Sequence, residues 1–129
     1  MREIIVKAKR KDNGEWVEGY YVFCRKCHYI LPAVNEIIGY DEREDEWIEI
    51  DPDTLCQYTG LTDKNDRKIW ENDIVKFDKS SNYPIIWNEE YCAFGSYYYS
   101  DFDHLSKYIN TEMEAVGNIF DNSDLLEVE

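Results

Sequence analysis

The four cysteines and two histidines in this sequence of 129 residues could bind a soft metal or, as thiolate or imidazole, attack a bond. They are Cys24, Cys27, His28, Cys56, Cys92 and His104. The first three belong to the run C-R-K-C-H, which has the spacing of a c-type haem attachment site. Haem attachment requires export, and no apolar segment of a signal peptide follows Met1. We therefore expect no haem.

Zinc is the second interpretation of this run, because a C-x-x-C pair supplies two thiolates to a tetrahedral site. The sequence has no second C-x-x-C pair, so the other ligands would have to come from distant residues. Cys56 and Cys92 lie inside apolar segments, where a free cysteine behaves as a small core residue. A thioredoxin-like redox pair would need a βαβ pattern around it. We expect reduced thiols and no cofactor, while the sequence leaves open whether Cys24 and Cys27 bind zinc.

The sequence shows none of the common catalytic motifs, and it leaves open whether two of its 28 carboxylates pair. Two histidines provide little general-base capacity near neutral pH, and the motifs of serine hydrolases, zinc proteases and phosphate loops are absent. Asp63, Asp66 and Asp73 are close enough in sequence to suggest a calcium loop, but the EF-hand spacing is missing. We expect these carboxylates to make hydrogen bonds within turns. The sequence therefore predicts a protein that is not an enzyme, with no catalytic, cofactor-binding or metal-binding residues.

Charge separates the start of the chain from the rest. The formal net charge is −14, yet residues 1–30 hold seven basic and four acidic residues, and the remainder holds seven basic and twenty-four acidic ones. Such a surface repels nucleic-acid phosphates. Nucleic-acid binding would depend on an amino-terminal basic cluster formed by Lys7, Lys9, Arg10 and Lys11. We expect this cluster to point outward along an edge strand instead, and the acidic block 41–46 to form a solvated loop rather than a partner surface.

Short apolar segments with period-two alternation and frequent turn residues predict strands. The candidate strands are 4–8, 15–23, 29–34, 37–40, 47–50, 74–77, 83–87, 93–99 and 113–120. Asp12-Asn13-Gly14 predicts a hairpin turn between the first two. Only residues 102–109 and 121–129 are typical of helix, and both are short. No apolar run reaches the length of a membrane-spanning helix, so we expect neither a membrane partner nor a location outside the bacterial cytoplasm.

These strands predict a mainly β protein in two parts. A break at residues 51–53 separates an N-terminal β-hairpin subdomain, residues 1–53, from a second subdomain, residues 54–129. The closely spaced strands of the second part predict a small antiparallel, SH3-like barrel with a short C-terminal helix. The predicted core consists of Ile4, Val6, Trp16, Tyr20, Val22, Leu61, Ile69, Trp70, Ile74, Val75, Ile86, Val116 and Ile119.

One long run carries a resemblance to a known family. Residues 56–77, C-Q-Y-T-G-L-T-D-K-N-D-R-K-I-W-E-N-D-I-V-K-F, resemble the YopX-like proteins of phages and prophages. Further matches follow the same order along the chain: W-V-E-G-Y-Y from Trp16, D-P-D-T from Asp51, and V-G-N-I-F-D-N from Val116. The resemblance implies a shared fold over nearly the whole chain and a phage or prophage setting, and it names no reaction.

Four turn positions within these motifs give specific expectations. Asp66 and Asn72 stand where the YopX-like proteins usually have glycine. Both residue types tolerate left-handed backbone better than other non-glycine residues, so we expect the turns to be retained. Gly60 and Gly117 should occupy backbone positions that a side chain would strain.

The sequence favours a function in protein binding. Aromatic residues make up 16% of the chain, and tyrosine and tryptophan supply much of the energy at protein interfaces. The triplet Tyr97-Tyr98-Tyr99 is more typical of core packing or an oligomer seam than of a base-stacking platform. We therefore expect an adaptor or regulator that binds a host or phage protein. The alternatives are a structural homo-oligomer and, ranked last, a nucleic-acid-associated regulator.

Overall fold

The computed structural model describes residues 4–32, 47–77, 82–98, 100–108 and 112–126, apart from the side chains of Tyr98 and Tyr108. In these residues the protein is mainly β, as predicted, with short 3₁₀ turns between antiparallel strands. The predicted strand 37–40 and the acidic block 41–46 lie outside the described residues. The chain divides into two compact units, Met1–Gln57 and Tyr58–Glu129. The subdomain boundary that the sequence analysis placed after residue 53 stays a prediction.

The first unit contains an antiparallel sheet. Its strands are β1 (Val6–Lys9), β2 (Trp16–Cys24), β3 (Cys27–Pro32), β4 (Ile48–Glu49) and the beginning of β5 (Cys56–Thr62). The strand order is β4-β3-β2-β1-β5, so consecutive strands from β1 to β4 are neighbours. The predicted turn at residues 12–14 connects β1 and β2, and it is closed by a hydrogen bond of 2.8 Å from the Arg10 amide to the Glu15 carbonyl.

The run C-R-K-C-H forms the turn between β2 and β3. Cys24 and Cys27 are the last paired residues of the two strands. Arg25 and Lys26 between them have φ values of 52° and 67°. Two central residues with positive φ are what a type I′ hairpin turn requires, and this turn matches the twist of the strands. The sequence analysis did not predict a turn here, because arginine and lysine are not typical turn residues.

A small core supports the first sheet. Ala8, Ile30 and Ile50 are buried together, and Val6, Val17 and Leu55 pack against them. Two core predictions are wrong in this unit, since 65% of Ile4 and 49% of Tyr20 are exposed. Ile4 precedes the first strand, so the alternation does not extend to it, and Ile5 is buried instead. Tyr20 lies on the face opposite its buried neighbour Gly19.

The second unit contains the remainder of β5 and seven further strands among its described residues. They are β6 (Lys68–Trp70), β7 (Asp73–Phe77), β8 (Asn82–Pro84), β9 (Ile86–Asn88), β10 (Ala93–Tyr98), β11 (Asp101–His104) and β12 (Met113–Asn118). Strand β6 pairs with β5. The others form two three-stranded sheets, with orders β12-β7-β8 and β11-β10-β9. The predicted helical segment 102–109 is wrong in its first part, which lies in β11, and a 3₁₀ turn at Leu105–Tyr108 follows. A second 3₁₀ turn at Ser123–Leu126 lies within the predicted C-terminal helix.

These sheets are open, and the predicted SH3-like barrel is not confirmed. The predicted strand 83–87 is in fact two strands in two different sheets. They separate at Ile85, whose amide donates to the Asp73 carbonyl at 2.8 Å and whose carbonyl accepts from the Asn72 amide at 2.7 Å. Pro84 has no amide hydrogen with which to continue the ladder. The chain therefore leaves one sheet and enters the next at this point.

The core of the second unit lies beneath both three-stranded sheets. Its buried residues are Ile69, Val75, Ile85, Leu105 and Met113, and the residues packed against them are Leu61, Phe77, Tyr83 and Phe94. Ile69, Trp70, Ile74 and Val75 are buried as the sequence predicted. The other predicted core residues, Val6, Trp16, Val22, Leu61, Ile86, Val116 and Ile119, are half-buried.

Candidate functional site

The sheet of β9, β10 and β11 has one apolar face toward the core and one face toward solvent. Phe94 packs against the core from the first face. Because alternate residues point to opposite faces, Gly95 and Tyr97 point the other way. The register places Gly95 opposite His104 and Tyr97 opposite Phe102, so these residues share the outer face. The outer face is therefore largely aromatic.

Four rings on and beside this outer face contact one another, and we call them the ring cluster. They are Tyr91, Tyr97, Phe102 and His104. Tyr91 stacks on Phe102, with ring centroids 5.5 Å apart and planes within 4° of parallel. Tyr97 meets the same ring edge-on at 5.4 Å, and His104 does so at 5.5 Å. Although the rings pack together, 53% of Tyr91 and 49% of Tyr97 remain exposed.

A buried amide side chain holds two members of the ring cluster. Asn88 is only 8% exposed. Its Nδ2 donates to the Tyr97 hydroxyl at 3.1 Å, and its Oδ1 accepts from the Tyr91 backbone amide at 3.1 Å. One side chain at the end of β9 thus fixes both a ring on β10 and the turn that carries the other tyrosine. Because buried polar groups are costly to leave unpaired, these bonds should be retained in solution.

Gly95 lies directly beneath the Phe102 ring of the cluster and forms what we call its floor. A Cβ atom at this position would lie 2.7 Å from Cζ of Phe102 and would also collide with the Asp103 carbonyl oxygen. Phe102 therefore occupies the space above the glycine. The ring can approach the backbone of the sheet this closely only because residue 95 has no side chain.

Acidic residues surround the ring cluster. Residues 82–108 contain four acidic residues and a single lysine. Glu89 and Glu90 are exposed in the turn that leads to Tyr91, and Asp101 is exposed at the start of β11. Lys107 lies 3.5 Å from Asp103. The face thus combines exposed aromatic rings with negative charge.

Two of the three aspartates that suggested a calcium loop, Asp63 and Asp73, accept hydrogen bonds from backbone amides in turns, as we expected. Asp63 is 5% exposed, and its carboxylate accepts from three backbone amides: Asn65 at 2.8 Å, Arg67 at 3.0 Å and Ala115 at 2.9 Å. Burial raises the pKa of this carboxyl group, but the three amides together outweigh burial, so the pKa is lower than usual. Asp73 accepts from the Trp70 amide at 2.8 Å.

The turn positions behave as their residue types predicted. Asp66 and Asn72 have φ values of 62° and 71°, so both adopt left-handed backbone in place of glycine. Gly60 has a φ of 88°, which a side chain would strain. It lies within β5, where the pairing with β6 shifts register, and not in the predicted turn. At Gly117 the constraint is space, because a Cβ atom would lie 2.5 Å from Oδ1 of Asn122. Both glycine predictions are confirmed, for different physical reasons.

The cysteines are unbridged and dispersed, apart from one pair. Cys24 and Cys27 face each other across the turn from β2 to β3. Cys56 is 1% exposed and donates to the Thr54 carbonyl at 3.2 Å, whereas Cys92 is exposed. Among the described parts of the chain, no three histidine, cysteine or acidic side chains converge in a way that could hold a metal ion. The expectation that the protein contains no metal stays a prediction.

The basic cluster near the start of the chain makes intramolecular contacts. Lys7 and Lys9 place their ammonium groups 4.7 and 5.5 Å from the ring centroid of Trp16. Arg10 pairs with Asp12 at 2.8 Å, which raises the pKa of the guanidinium, and the Lys11 Nζ lies 3.3 Å from Glu49. Each of the four basic side chains therefore has an intramolecular partner in the first unit.

Sequence reasoning missed most of this site. It named Tyr97 as part of a triplet, but Tyr98 is described only in its backbone and Tyr99 lies outside the described residues. It gave no role to Asn88, Gly95 or Phe102. One signal was available in the sequence. Gly95 and Tyr97 are two residues apart, as are Phe102 and His104, so in two paired strands all four would lie on one face.

Sequence and structure together define a small acidic β protein with an anchored aromatic surface. The chain belongs to the YopX protein family, whose sequence profile matches residues 7–127. This match confirms the resemblance on which the fold expectation rested. None of the curated proteins matches the chain. Within the described ranges, no helix has the length and apolar character needed to span a membrane.

Proposed function

We propose that this chain is a phage- or prophage-encoded adaptor or regulator without catalytic activity, which acts in the bacterial cytoplasm by binding another protein through the ring cluster. The observation that carries the proposal is the combination of exposure and anchoring at Tyr91 and Tyr97. Half of each residue is open to solvent. Asn88 holds the hydroxyl of Tyr97 and the backbone of Tyr91, and the Tyr91 ring stacks on Phe102. Rings fixed before binding lose little conformational entropy when a partner arrives.

The chemistry around the rings favours a basic partner. Glu89, Glu90 and Asp101 give the surrounding surface a negative potential. Arginine and lysine side chains are attracted to the faces of tyrosine and phenylalanine rings. A partner segment with arginine or lysine would satisfy both features, because its cations reach the rings and the carboxylates together. We therefore expect the bound segment to be basic.

Two alternatives use the same surface differently. In a structural homo-oligomer, the open edges of the β11-β10-β9 sheet would pair with another copy of the chain. In a nucleic-acid regulator, bases would stack on the rings. The acidic surroundings disfavour the second alternative, and so do the intramolecular contacts of Lys7, Lys9, Arg10 and Lys11.

Affinity capture from lysate of the bacterial host, followed by titration of the purified partner, tests the proposal. The capture compares the parent chain with Tyr91→Ala and Tyr97→Ala. The matched control is Tyr20→Ala, because Tyr20 has the same exposed fraction as Tyr97, 49%, and lies in the first unit. Loss of a central aromatic anchor typically costs at least about 2 kcal/mol, so each test variant should weaken binding roughly thirtyfold. The control should bind as the parent does.

Further measurements separate the alternatives. Light scattering on the parent and on Tyr97→Ala reports whether the ring cluster joins copies of the chain. Titration with duplex and single-stranded DNA reports nucleic-acid affinity. Equal capture by all four proteins would refute the ring cluster as the contact surface. A strict monomer with sub-micromolar, salt-sensitive DNA binding would replace the proposal with the nucleic-acid alternative, and the basic cluster would then be the first place to mutate.

A further inference from the structure

The proposed function gives no role to the pair of thiols at the tip of the β2–β3 hairpin. Cys24 and Cys27 are cross-strand partners in the register of this hairpin. Both are half-buried, so their sulfur atoms remain within reach of small solutes. They are joined by only two residues, Arg25 and Lys26, whose positive φ values turn the chain back on itself.

The geometry of the hairpin suits a bond between the two sulfurs. Residues directly opposite each other in an antiparallel pair have Cα atoms about 4.5 or 5.5 Å apart, depending on the type of pair. Disulfides commonly span Cα separations of about 4.4–6.8 Å. Side chains at paired positions also leave the sheet on the same face. The pairing of Cys24 with Cys27 therefore places the two thiols on one face, at a Cα separation that a disulfide can span.

The other two cysteines do not offer this geometry. Cys56 is 1% exposed and hydrogen-bonded to the Thr54 carbonyl, so an oxidant in solution has little access to it. Its partner across the sheet is Lys7. Cys92 is exposed, but it lies in a turn of the second unit. Only the hairpin pair combines access with a facing thiol.

We propose that Cys24 and Cys27 form a reversible intramolecular disulfide by exchange with a low-molecular-weight disulfide such as glutathione disulfide. One cysteine, as its thiolate, attacks the oxidant, forms a mixed disulfide and releases one glutathione thiolate. The second cysteine thiolate then attacks the mixed disulfide at the protein sulfur and expels the second glutathione. The protein pair loses two electrons and two protons, and the oxidant is reduced to two thiols.

The neighbour Tyr29 provides a local reporter. Burial raises the pKa of its hydroxyl, and the adjacent Cys27, Glu49 and Cys24 raise it further. Oxidation removes the negative charge that the two cysteines can carry. The pKa of Tyr29 should therefore fall when the disulfide closes, which can be followed by NMR of the Tyr29 ring carbon.

The direct test titrates the full chain with mixtures of reduced and oxidised glutathione and measures the intact mass after alkylation. All proteins carry Cys92→Ser, because the exposed Cys92 would take up glutathione itself. The expected product of the pair has lost two hydrogen atoms, carries no glutathione and maps to a peptide containing both Cys24 and Cys27. Variants with Cys24→Ser or Cys27→Ser should instead stop as stable mixed disulfides, because the second step has no attacking thiol.

A second measurement tests whether the folded hairpin, and not only the two-residue spacing of the cysteines, promotes formation of the disulfide. The native hairpin should close the disulfide at a glutathione disulfide concentration at least about tenfold lower than the same chain in urea, because the strands raise the effective concentration of the second thiol. Three results would overturn the proposal. They are accumulation of glutathione on the intact pair, disulfide-linked dimers, and equal closure in native and unfolded chains.

Discussion

Two exposed aromatic surfaces of this protein differ in what holds their rings. On the β2–β3 hairpin, Tyr21 and Phe23 contact His28, and 40% of the tyrosine and 59% of the phenylalanine are exposed. The ring cluster of the second unit exposes its tyrosines to a similar degree. There, however, the buried Asn88 and the bare surface of Gly95 fix the rings from below. Exposure is alike on the two surfaces, and Tyr21 also has a hydrogen-bond partner in His28. The surfaces differ in the burial of the anchoring side chain, because His28 is half-buried whereas Asn88 is only 8% exposed.

The turns of the two units also differ in what holds them. In the first unit, the tip of the β2–β3 hairpin depends on the backbone conformation of Arg25 and Lys26. In the second unit, buried polar side chains hold the turns. Of the buried polar residues in the described parts of the chain, only Thr54 lies in the first unit, whereas Asp63, Asp73 and Asn88 lie in the second. If this contrast is real, polar truncations should be most costly in the second unit.

The largest effect should follow from Asp63→Ala. This substitution leaves three backbone amides without their acceptor, one of them 52 residues away at Ala115. We expect the free energy of unfolding to fall by about 2–4 kcal/mol. Urea denaturation followed by tryptophan fluorescence measures it. The matched control is Asp12→Ala in the first unit, whose exposed ion pair with Arg10 should contribute little. Equal losses in the two variants would break the comparison.

A smaller loss should follow from Gly60→Val. The φ of 88° at this position is costly for a β-branched residue. We expect a loss of roughly 1–3 kcal/mol in the free energy of unfolding. Gly60→Asn is the control, because asparagine tolerates left-handed backbone and should lose less. A melting curve for Gly60→Val that coincides with the parent curve would show that the positive φ at residue 60 does not restrict which residues fit there.

Acid should remove part of the Asp63 contribution. Since its pKa in the folded protein is lower than the usual value of 3.8, the contribution is complete above that value and is lost as pH falls through the folded pKa. The loss should be smaller than for Asp63→Ala, because a neutral carboxyl group keeps an acceptor oxygen. Urea midpoints from pH 7 downward measure it. The difference between the parent and Asp63→Asn should narrow in acid, and a constant difference would contradict the assignment.

The smallest effect should come from restoring the residue that is usual in the family at a turn. Asp66→Gly relieves the left-handed strain at φ 62° but increases the freedom of the unfolded chain. These terms oppose each other, so we expect a change below about 1 kcal/mol. For Asp66→Val we expect the free energy of unfolding to fall by roughly 1–2 kcal/mol, because a β-branched residue is more strained than aspartate in left-handed backbone. Thermal melts of both variants compare them, and equal melting temperatures would argue against a backbone origin.

Local patterns predicted most of the strands, although β5, β6 and β11 were not among them, and they predicted the assembly of the strands poorly. The alternation around Val6 and the apolar run around Val75 both marked true strands, because these signals arise within a single strand. Whether a sheet closes depends on contacts between distant residues. At Ile85, the bonds to Asn72 and Asp73 divide one apolar run between two sheets, and nothing within the run itself indicates this.

The candidate site was harder to predict than the fold for a related reason. Tyr97 stands out in sequence as part of a triplet, whereas Asn88 is an ordinary turn residue until it is placed beneath that ring. At Arg25 and Lys26 the residue types gave no sign of a turn, yet both have positive φ values between β2 and β3. These residue types rarely adopt such a conformation. Side chains that act across strands require the register, which composition does not supply.

Gly95 and its covering ring have a consequence for how this surface can change during evolution. Substitution at Gly95 is blocked by Phe102 and by the Asp103 carbonyl, so the floor must stay as it is. Tyr91 and Tyr97 stand at the rim, where half of each side chain faces solvent. The residues that support the cluster therefore differ from those that face solvent. Under the proposed function, a lineage could exchange the exposed tyrosines to follow a changing host protein while the sheet beneath them keeps its sequence and its stability.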